Sequence, residues 1–449
     1  MNKVQTDLVD TSPASLNRSF EAAVPAGEDP ARYAHLLRQI RDAALSGGRS
    51  PAAPRPLVDD SWRRAIGIGM NPDRGRELPE NIGPAEVESR RHTGKLAKVL
   101  PVLGDVLLPA AEDAGHVMVV VDATGVVLWR DGPKKIQQHA ARLGFEVGAN
   151  WSERSVGTNA IGTALVVSRP VQIYSAEHFV KTHHAWTCAA APILDPANGA
   201  LLGVVDVSGA AATVHPSTLA LVDAAARMAE SFLREEHHAA MGALRALAGP
   251  LLAGSQLPTM VTDADGWVAA ASAGVQIARI ALPDHRDGGL AWLPAFGACR
   301  LEPVPGGWLV RVQSDERAET PATEITIDLR DVHQPSLSIQ SQLGQWSHRL
   351  SPRHAELLVL LALNPMGSSA GQLSSELYGT SEHVVAVRAE ISRLRKHLGG
   401  LLGQRPYRFA DWAQVRIDYP AAAVDLLPAS TAPTIRDLRS SRCAGALIT

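Results

Sequence analysis

Three cysteines are all that 449 residues contain. Cys188, Cys299 and Cys443 stand too far apart for a disulfide framework or a paired CxxC ligand set, which fits a reducing compartment. An excess of one charge is missing too: 43 Lys and Arg against 46 Asp and Glu leave a net charge of −3. Contact with nucleic acid must then come from a local basic patch rather than from the whole molecule. No apolar run is long enough to span a membrane, and the opening "MNKVQTDLVD" lacks a signal-peptide core. The expectation is a cytoplasmic protein that meets no membrane. Catalytic motifs are absent as well: there is no GxSxG, no HExxH, and "GTNAIGTA" is not the GxGxxG of a dinucleotide site. The chain therefore reads as a non-enzyme, with no catalytic residue, no metal site and no cofactor.

What is present is a soluble globular composition, 45% hydrophobic and 20% charged, in a chain too long for one core. Residues 1–30 are polar and rich in Ala and Pro, and read as a flexible tail. "ARYAHLLRQIRDAALSG" (31–47) places Leu36, Leu37, Ile40 and Ala44 on one helical stripe. "VDDSWRRAIGIGM" predicts a second helix with Asp60 or Ser61 as N-cap, and 86–103 a third. "HVMVVVDATGVVLWRDG" is strand, Asp-x-x-Gly turn, strand. Further strands follow at "RPVQIYS", "CAAAPIL" and "ALLGVVDVSG", and a long amphipathic helix spans 215–247. Residues 255–313 repeat the strand–turn–strand pattern at "LPTMVTDADGWVAAAS" and "CRLEPVPGGWLVRVQ". The Ala-, Pro- and Ser-rich end, 420–449, reads as a disordered tail.

"HFVKTHHAWTC" (178–188) crowds His178, His183, His184, Trp186 and Cys188 together. Its H-x4-HH-x3-C spacing matches no standard zinc pattern, and adjacent histidines rarely face the same way. Cys188 opens an apolar strand, where a thiol usually acts as a small hydrophobe. Trp151, His178 and Trp186 offer flat apolar faces with polar edges, while Ser155, Thr158 and Asn159 offer hydrogen bonds. Those six are the candidate ligand residues. "SVGTNAIGTAL" is equally a loop entering a helix, with Thr158 or Asn159 as its cap. Two alternatives stay open: a redox- or metal-responsive regulator using Cys188 and the nearby histidines, and a signalling scaffold that binds no DNA.

Near the C-terminus, "LSPRHAELLVLLALNP" predicts a helix capped by Ser351 with Pro352 at its first position. "SSAGQLSSELYG" predicts a second and "TSEHVVAVRAEISRLRKHLGG" a third. In the third, Val384, Val387, Ile391, Leu394 and Leu398 form one apolar stripe. Val385, Ala389, Ser392, Arg393 and Lys396 point away from it, with Arg388 and Arg395 on its flank. A helix with such a basic outer face fits a DNA major groove; a solvated charged face is the plain alternative. "RPYRF" and "QVRIDY" read as a hairpin with Arg405 and Arg408 near its bend.

On "LSPRHAELLVLLA", "QLSSELYG", "VRAEISRLRKHLG" and "YRF", residues 323–419 resemble the winged-helix DNA-binding domain of OmpR/PhoB-type transcription factors. The resemblance implies that Ser392, Arg393, Arg395 and Lys396, with Arg388, contact DNA from the third helix, and Tyr407 and Arg408 from the wing. "NWSERSVGTNAIGTALVVSRPVQIYSAEHFVKTHHAWTCAAAPILDPANGALLGVVDVSG" and "SWRRAIGIGMNPD" resemble the GAF sensor at the front of activators of acetoin and glycerol metabolism. That family adds a central ATPase for sigma-54 polymerase, whereas this sequence has no GxxxxGK and no GAFTGA loop. The expected fold class is α+β and multidomain: a helical segment at 31–79, a GAF sensor at 80–235 with a central antiparallel sheet and flanking helices, a connecting helix and PAS-like segment at 236–315, and a winged helix at 323–419. The expected function is a sigma-54-independent regulator that senses a small-molecule effector and binds operator DNA. Its implied partners are a second copy of itself, by way of the helix at 215–247, and RNA polymerase.

Overall fold

The computed structural model describes residues 21–445, apart from 74, 76–80, 254, 256, 273–274, 276, 284–287, 294–295, 314–322, 333, 342–343, 399–400, 404–405 and 411–412. It divides into two compact units: Met1–Trp62, Met70–Pro196 and Leu202–Glu230 form the first, and Arg63–Gly69, Ala197–Leu201 and Ser231–Thr449 the second. Among the described residues no helix is long and apolar enough to cross a membrane.

In the first unit the β-branched runs make strands and the Pro- and Gly-punctuated stretches make helices. α1 (Pro30–Ser46) is capped by Asp29, whose carboxylate accepts from Arg32 N, and ends on Gly47 in the left-handed conformation. α2 (Pro56–Gly67) begins earlier than its sequence suggested. Asp60 and Ser61 therefore lie inside it, and Ser61 is buried instead of capping. The single helix expected at 86–103 is two, α3 (Pro84–Thr93) and α4 (Leu96–Ala114), parted at Gly94. α4 runs on through Pro101 and Pro109, carried by its buried stripe of Leu96, Val99, Leu103, Leu107 and Ala111. β1 (Val117–Asp122) and β2 (Val127–Asp131) form the expected hairpin. α5 (Lys134–Ala141), α6 (Glu153–Val156) and α7 (Ala160–Val167) precede β3 (Val171–Tyr174), β4 (Trp186–Leu194) and β5 (Leu201–Ala210). The five strands form one sheet in the order β2-β1-β5-β4-β3. The chain is already fixed at Ala23, which is fully buried with its N–H on Gln172 Oε1, so residues 23–30 are not part of the flexible tail expected at 1–30. Residues 1–20 lie outside the described residues.

α8 (Pro216–Leu252) is the expected long helix, five residues longer at its C-terminal end. Beyond it, β6 (Thr259–Asp263), β7 (Val268–Ala271), β8 (Gly289–Leu293), β9 (Gly297–Val304) and β10 (Gly307–Val312) make a second five-stranded sheet in the order β7-β6-β10-β9-β8. Its first hairpin repeats that of the first sheet. Asp122 Oδ1 accepts from Thr124 N and Val126 N, and Asp263 Oδ1 from Asp265 N and Trp267 N. Gly125 (φ 89°) and Gly266 (φ 83°) supply the left-handed turn residue. The ladder is irregular at Val120/Val121 in one and Val261/Thr262 in the other.

The last region has a four-stranded sheet, β13-β12-β11-β14, from β11 (Thr323–Asp328), β12 (Ser336–Ser341), β13 (Gly344–Arg349) and β14 (Ala413–Asp418). Three helices follow β13 in sequence: α9 (Pro352–Leu363), capped by Ser351 as expected, α10 (Ala370–Tyr378) and α11 (Val384–Leu398). Among the described residues, "RPYRF" and "QVRIDY" do not pair as the expected hairpin. "QVRIDY" supplies β14, which pairs in parallel with β11, while Leu402 and Phe409 make a separate small bridge. Residues 420–445 are folded where a disordered tail was expected at 420–449. Leu426, Leu427, Ala432 and Ile435 join the core beneath α9 and α10, and α12 (Pro433–Gly445) follows. Four apolar residues at that spacing outweigh the surrounding Ala, Pro and Ser.

Candidate functional site

β5 reads Leu-Leu-Gly-Val-Val-Asp-Val-Ser-Gly-Ala, an apolar strand interrupted by one carboxylate. Side chains alternate along a strand, so Asp206 and Ser208 share a face with Val204. Opposite them on β1 stand Val119 and Val117. Asp206 is wholly buried. Ser208 Oγ donates to its Oδ2 at 2.5 Å, and among the described residues Oδ1 has no partner. Burial in this apolar wall pushes the carboxyl up to about 7, against the pull of the Ser208 hydroxyl.

Cys188, on β4, extends the cluster. Its thiol is held well above the ordinary range by burial, and then by the Asp206 carboxylate. His178 follows the 3-10 turn Ser175–Glu177. Its Nδ1 lies 3.0 Å from Ser175 O and must donate there, so Nε2 is left to accept from the Cys188 thiol at 3.4 Å. Burial lowers His178 to about 3, helped by His183, and lowers His183 and His184 to about 4. His183 Nδ1 is a second buried polar atom without a partner among the described residues. The His183 ring stands 6.1 Å from that of His178 and 5.2 Å from Trp151, which in turn packs on Phe145 at 4.2 Å.

The six expected ligand residues fall into two sets. His178 and Trp151 belong to this cluster, linked through His183, and Trp186 shares the Cys188 side of β4 with its ring 5.2 Å from His139. Ser155, Thr158 and Asn159 are engaged elsewhere. Ser155 donates to Asn150 Oδ1, Thr158 Oγ1 lies 2.7 Å from Ser61 Oγ, and Asn159 caps α7 by accepting from Gly162 N. Thr158 belongs to a buried group in which Ser61 and Thr163 both donate to Glu153 Oε1. Asp206 and Ser208 escaped the sequence reading, which weighed His183 only as a metal ligand. The usable signal was a lone Asp inside an apolar strand, a position that burial makes costly. Among the described residues no three His, Cys, Asp or Glu side chains are grouped as ligands for one metal ion. The open groove on the opposite face of the sheet, lined by Leu100, Leu108, Met118 and Trp129, contains none of the cluster.

The expected DNA-contact residues sit on and after α11. Arg388 and Ser392 are exposed, and Arg393 is half-exposed with its guanidinium donating to Glu390. That pair and the His354 ring, at 3.1 Å, together hold Glu390 below the ordinary carboxylate range despite its burial. Arg395 turns away from the outer face and donates through Nε to Leu402 O at 3.1 Å. Tyr407 is half-buried, pairs with Ser368 through the backbone and packs on the core beneath α9; Arg408 is half-buried. The side chain of Lys396, and Arg405 altogether, lie outside the described residues.

Residues 37–231 match the family model described as MimR, N-terminal domain. Over 418 residues the chain is 29% identical to an uncharacterized 47.3 kDa protein in the thcA 5′ region of Rhodococcus erythropolis, covering 91% of this chain and 77% of that one. Over 195 residues it is 37% identical to the acetoin dehydrogenase operon transcriptional activator AcoR of Bacillus subtilis, covering 43% of this chain and 31% of AcoR. Over 207 residues it is 31% identical to the propane 2-monooxygenase operon transcriptional activator MimR of Mycolicibacterium goodii, covering 46% and 34%. The match thus spans about a third of each named activator. The stretch that carries the buried polar cluster is the stretch similar to the MimR N-terminal domain.

Proposed function

We propose that the protein is a transcriptional regulator whose first unit is a GAF-type sensor for a small uncharged molecule. The observation that carries this reading is a pair of buried polar atoms in the first unit, Asp206 Oδ1 and His183 Nδ1, that have no partner among the described residues, whereas the buried Ser61, Glu153, Thr158 and Thr163 satisfy one another. Unsatisfied buried groups cost about 1–3 kcal/mol each, so a native chain keeps them where something else satisfies them. Imidazoles lowered to about 3 and 4, a protonated thiol and a carboxyl near neutrality favour an uncharged ligand over an anion. Similarity to proteins named as operon activators supports the regulatory role.

The output is operator binding through residues 323–419 acting as a winged helix. α11 would enter the major groove with Arg388, Ser392, Arg393 and Lys396, while Arg395 steadies the wing that carries Tyr407 and Arg408. The absence of GxxxxGK and GAFTGA from the sequence supports a sigma-54-independent mode, with direct contact to RNA polymerase. Pairing of two copies along α8 is supported by its exposed Met228, Phe232 and Leu247. A gel-shift titration against genomic operator fragments tests the output. Arg388→Ala with Arg393→Ala should weaken binding by about tenfold or more and flatten its salt dependence. Unchanged affinity and salt slope would remove α11 from the interface.

A further inference from the structure

The segment that carries His178 is gripped by chain far ahead of it in sequence. Arg55, just before α2, meets Glu177 with two parallel bonds, Nε to Oε1 at 2.7 Å and Nη2 to Oε2 at 2.8 Å. The same Nη2 donates to Gln172 O at 2.6 Å. Within α2, the Trp62 indole N–H donates to Glu177 O at 2.9 Å. From α1, Arg41 donates to Phe179 O through Nε at 3.2 Å and Nη2 at 2.6 Å, and Nη2 also reaches Pro72 O. Tyr174 completes the arrangement by donating its hydroxyl to Pro30 O at the start of α1. His178 thus hangs between two residues, Glu177 and Phe179, each fastened to a different N-terminal arginine.

Both guanidiniums are nearly buried, with side-chain exposures of 5% for Arg41 and 11% for Arg55. Burying an arginine is costly, and an apolar side chain would fill the same space at lower cost. What the arginines supply instead is direction. A planar fork fixes the orientation of the carbonyl or carboxylate it holds as well as its distance. The His178 contact with Cys188 is already long at 3.4 Å, so a small shift of this segment would break it.

We propose that Arg41 and Arg55 are positioning residues of the sensor site: through Phe179 and Glu177 they set His178 against Cys188, so the N-terminal helices close the site. This rests on the reading of the cluster as a ligand site. Because coupling is reciprocal, a molecule that moves the 174–183 segment also moves α1 and α2, and the N-terminal helices report occupancy.

Alkylation of the full-length protein with iodoacetamide at about pH 8, followed by peptide mass spectrometry, tests this through Cys188. Cys299, buried in the second sheet, is the internal reference. In Arg41→Lys and in Arg55→Lys, Cys188 should react about tenfold faster, the effect of weakening local closure by about 1.4 kcal/mol, while Cys299 stays at the wild-type rate. Unchanged Cys188 protection in both variants would overturn the proposal. So would parallel acceleration of Cys188 and Cys299, which would mean that the arginines only stabilise the fold. The readout needs no ligand, so its failure is separate from failure of the sensor reading, which would show as a ligand response untouched by Asp206→Asn.

Discussion

The two five-stranded sheets share a frame and differ in what they enclose. Strand order, Asp-x-x-Gly hairpin and ladder irregularity coincide. Each also has a helix on one face: Leu96 of α4 lies against Gly203 in the first, and Met241, Leu244 and Ala248 of α8 pack on Val261 and Leu309 in the second. Pairing register carries the correspondence to single residues. Asp206 stands opposite Val119, three residues before the hairpin aspartate Asp122; Val310 stands opposite Met260, three residues before Asp263. By the same register Ser208 corresponds to Val312. A carboxyl and a hydroxyl in one sheet are thus two valines in the other. The second interior, Met260, Leu293, Cys299, Leu301 and Val310, is apolar, and among the described residues its one orphaned hydroxyl is Thr262 Oγ1. A fold needs only the apolar pattern, so polar groups set into it mark where one copy of the frame does something more.

The sharpest way to break the comparison is to give the second sheet the first one's carboxylate. Val310→Asp should cost about 3–5 kcal/mol in urea unfolding of the second unit, because a buried charge there meets apolar side chains and at most the single hydroxyl of Thr262. A loss below about 1 kcal/mol would mean that this interior already accommodates polar groups.

The reverse exchange, Asp206→Val, should have a smaller effect of opposite sign. An acid whose folded value lies near 7, above an ordinary value of 3.8, binds its proton more tightly when folded. Wild-type stability attributable to it therefore falls as pH rises from about 4 to about 7. The variant should gain on the order of a few kcal/mol over wild type near pH 8, and that gain should shrink as pH falls through 7. The imidazoles work the other way: lowered to about 3 and 4, His178 and His183 destabilise the folded chain as pH drops below about 6.5. A gain independent of pH would show that burial does not raise the Asp206 carboxyl.

Much of this architecture was legible in the sequence, and the misses share a cause. Both Asp-x-x-Gly hairpins, the Ser351 cap and the apolar stripe of α11 are local patterns, and they stand where the residues placed them. The parallel pairing of β14 with β11 joins segments some ninety residues apart, beyond any local signal. The candidate site was half legible. His178, Trp151 and Trp186 announce themselves by type, but Asp206 looks like a strand interruption until its neighbours are known. Arg41 was visible in part, since it lies four residues after Leu37 on the buried stripe of α1. Thr158 and Asn159 suited a ligand wall by chemistry and serve in a buried network and a helix cap instead.

The most direct test of a sensor site in the first sheet is a thermal-shift survey of wild type and Asp206→Asn with short-chain uncharged alcohols, ketones and amides near neutral pH. A compound that satisfies the orphaned atoms should raise the wild-type melting temperature by several degrees, as ligand linkage requires, and leave Asp206→Asn unmoved. An equal rise in both proteins would contradict the assignment of the site.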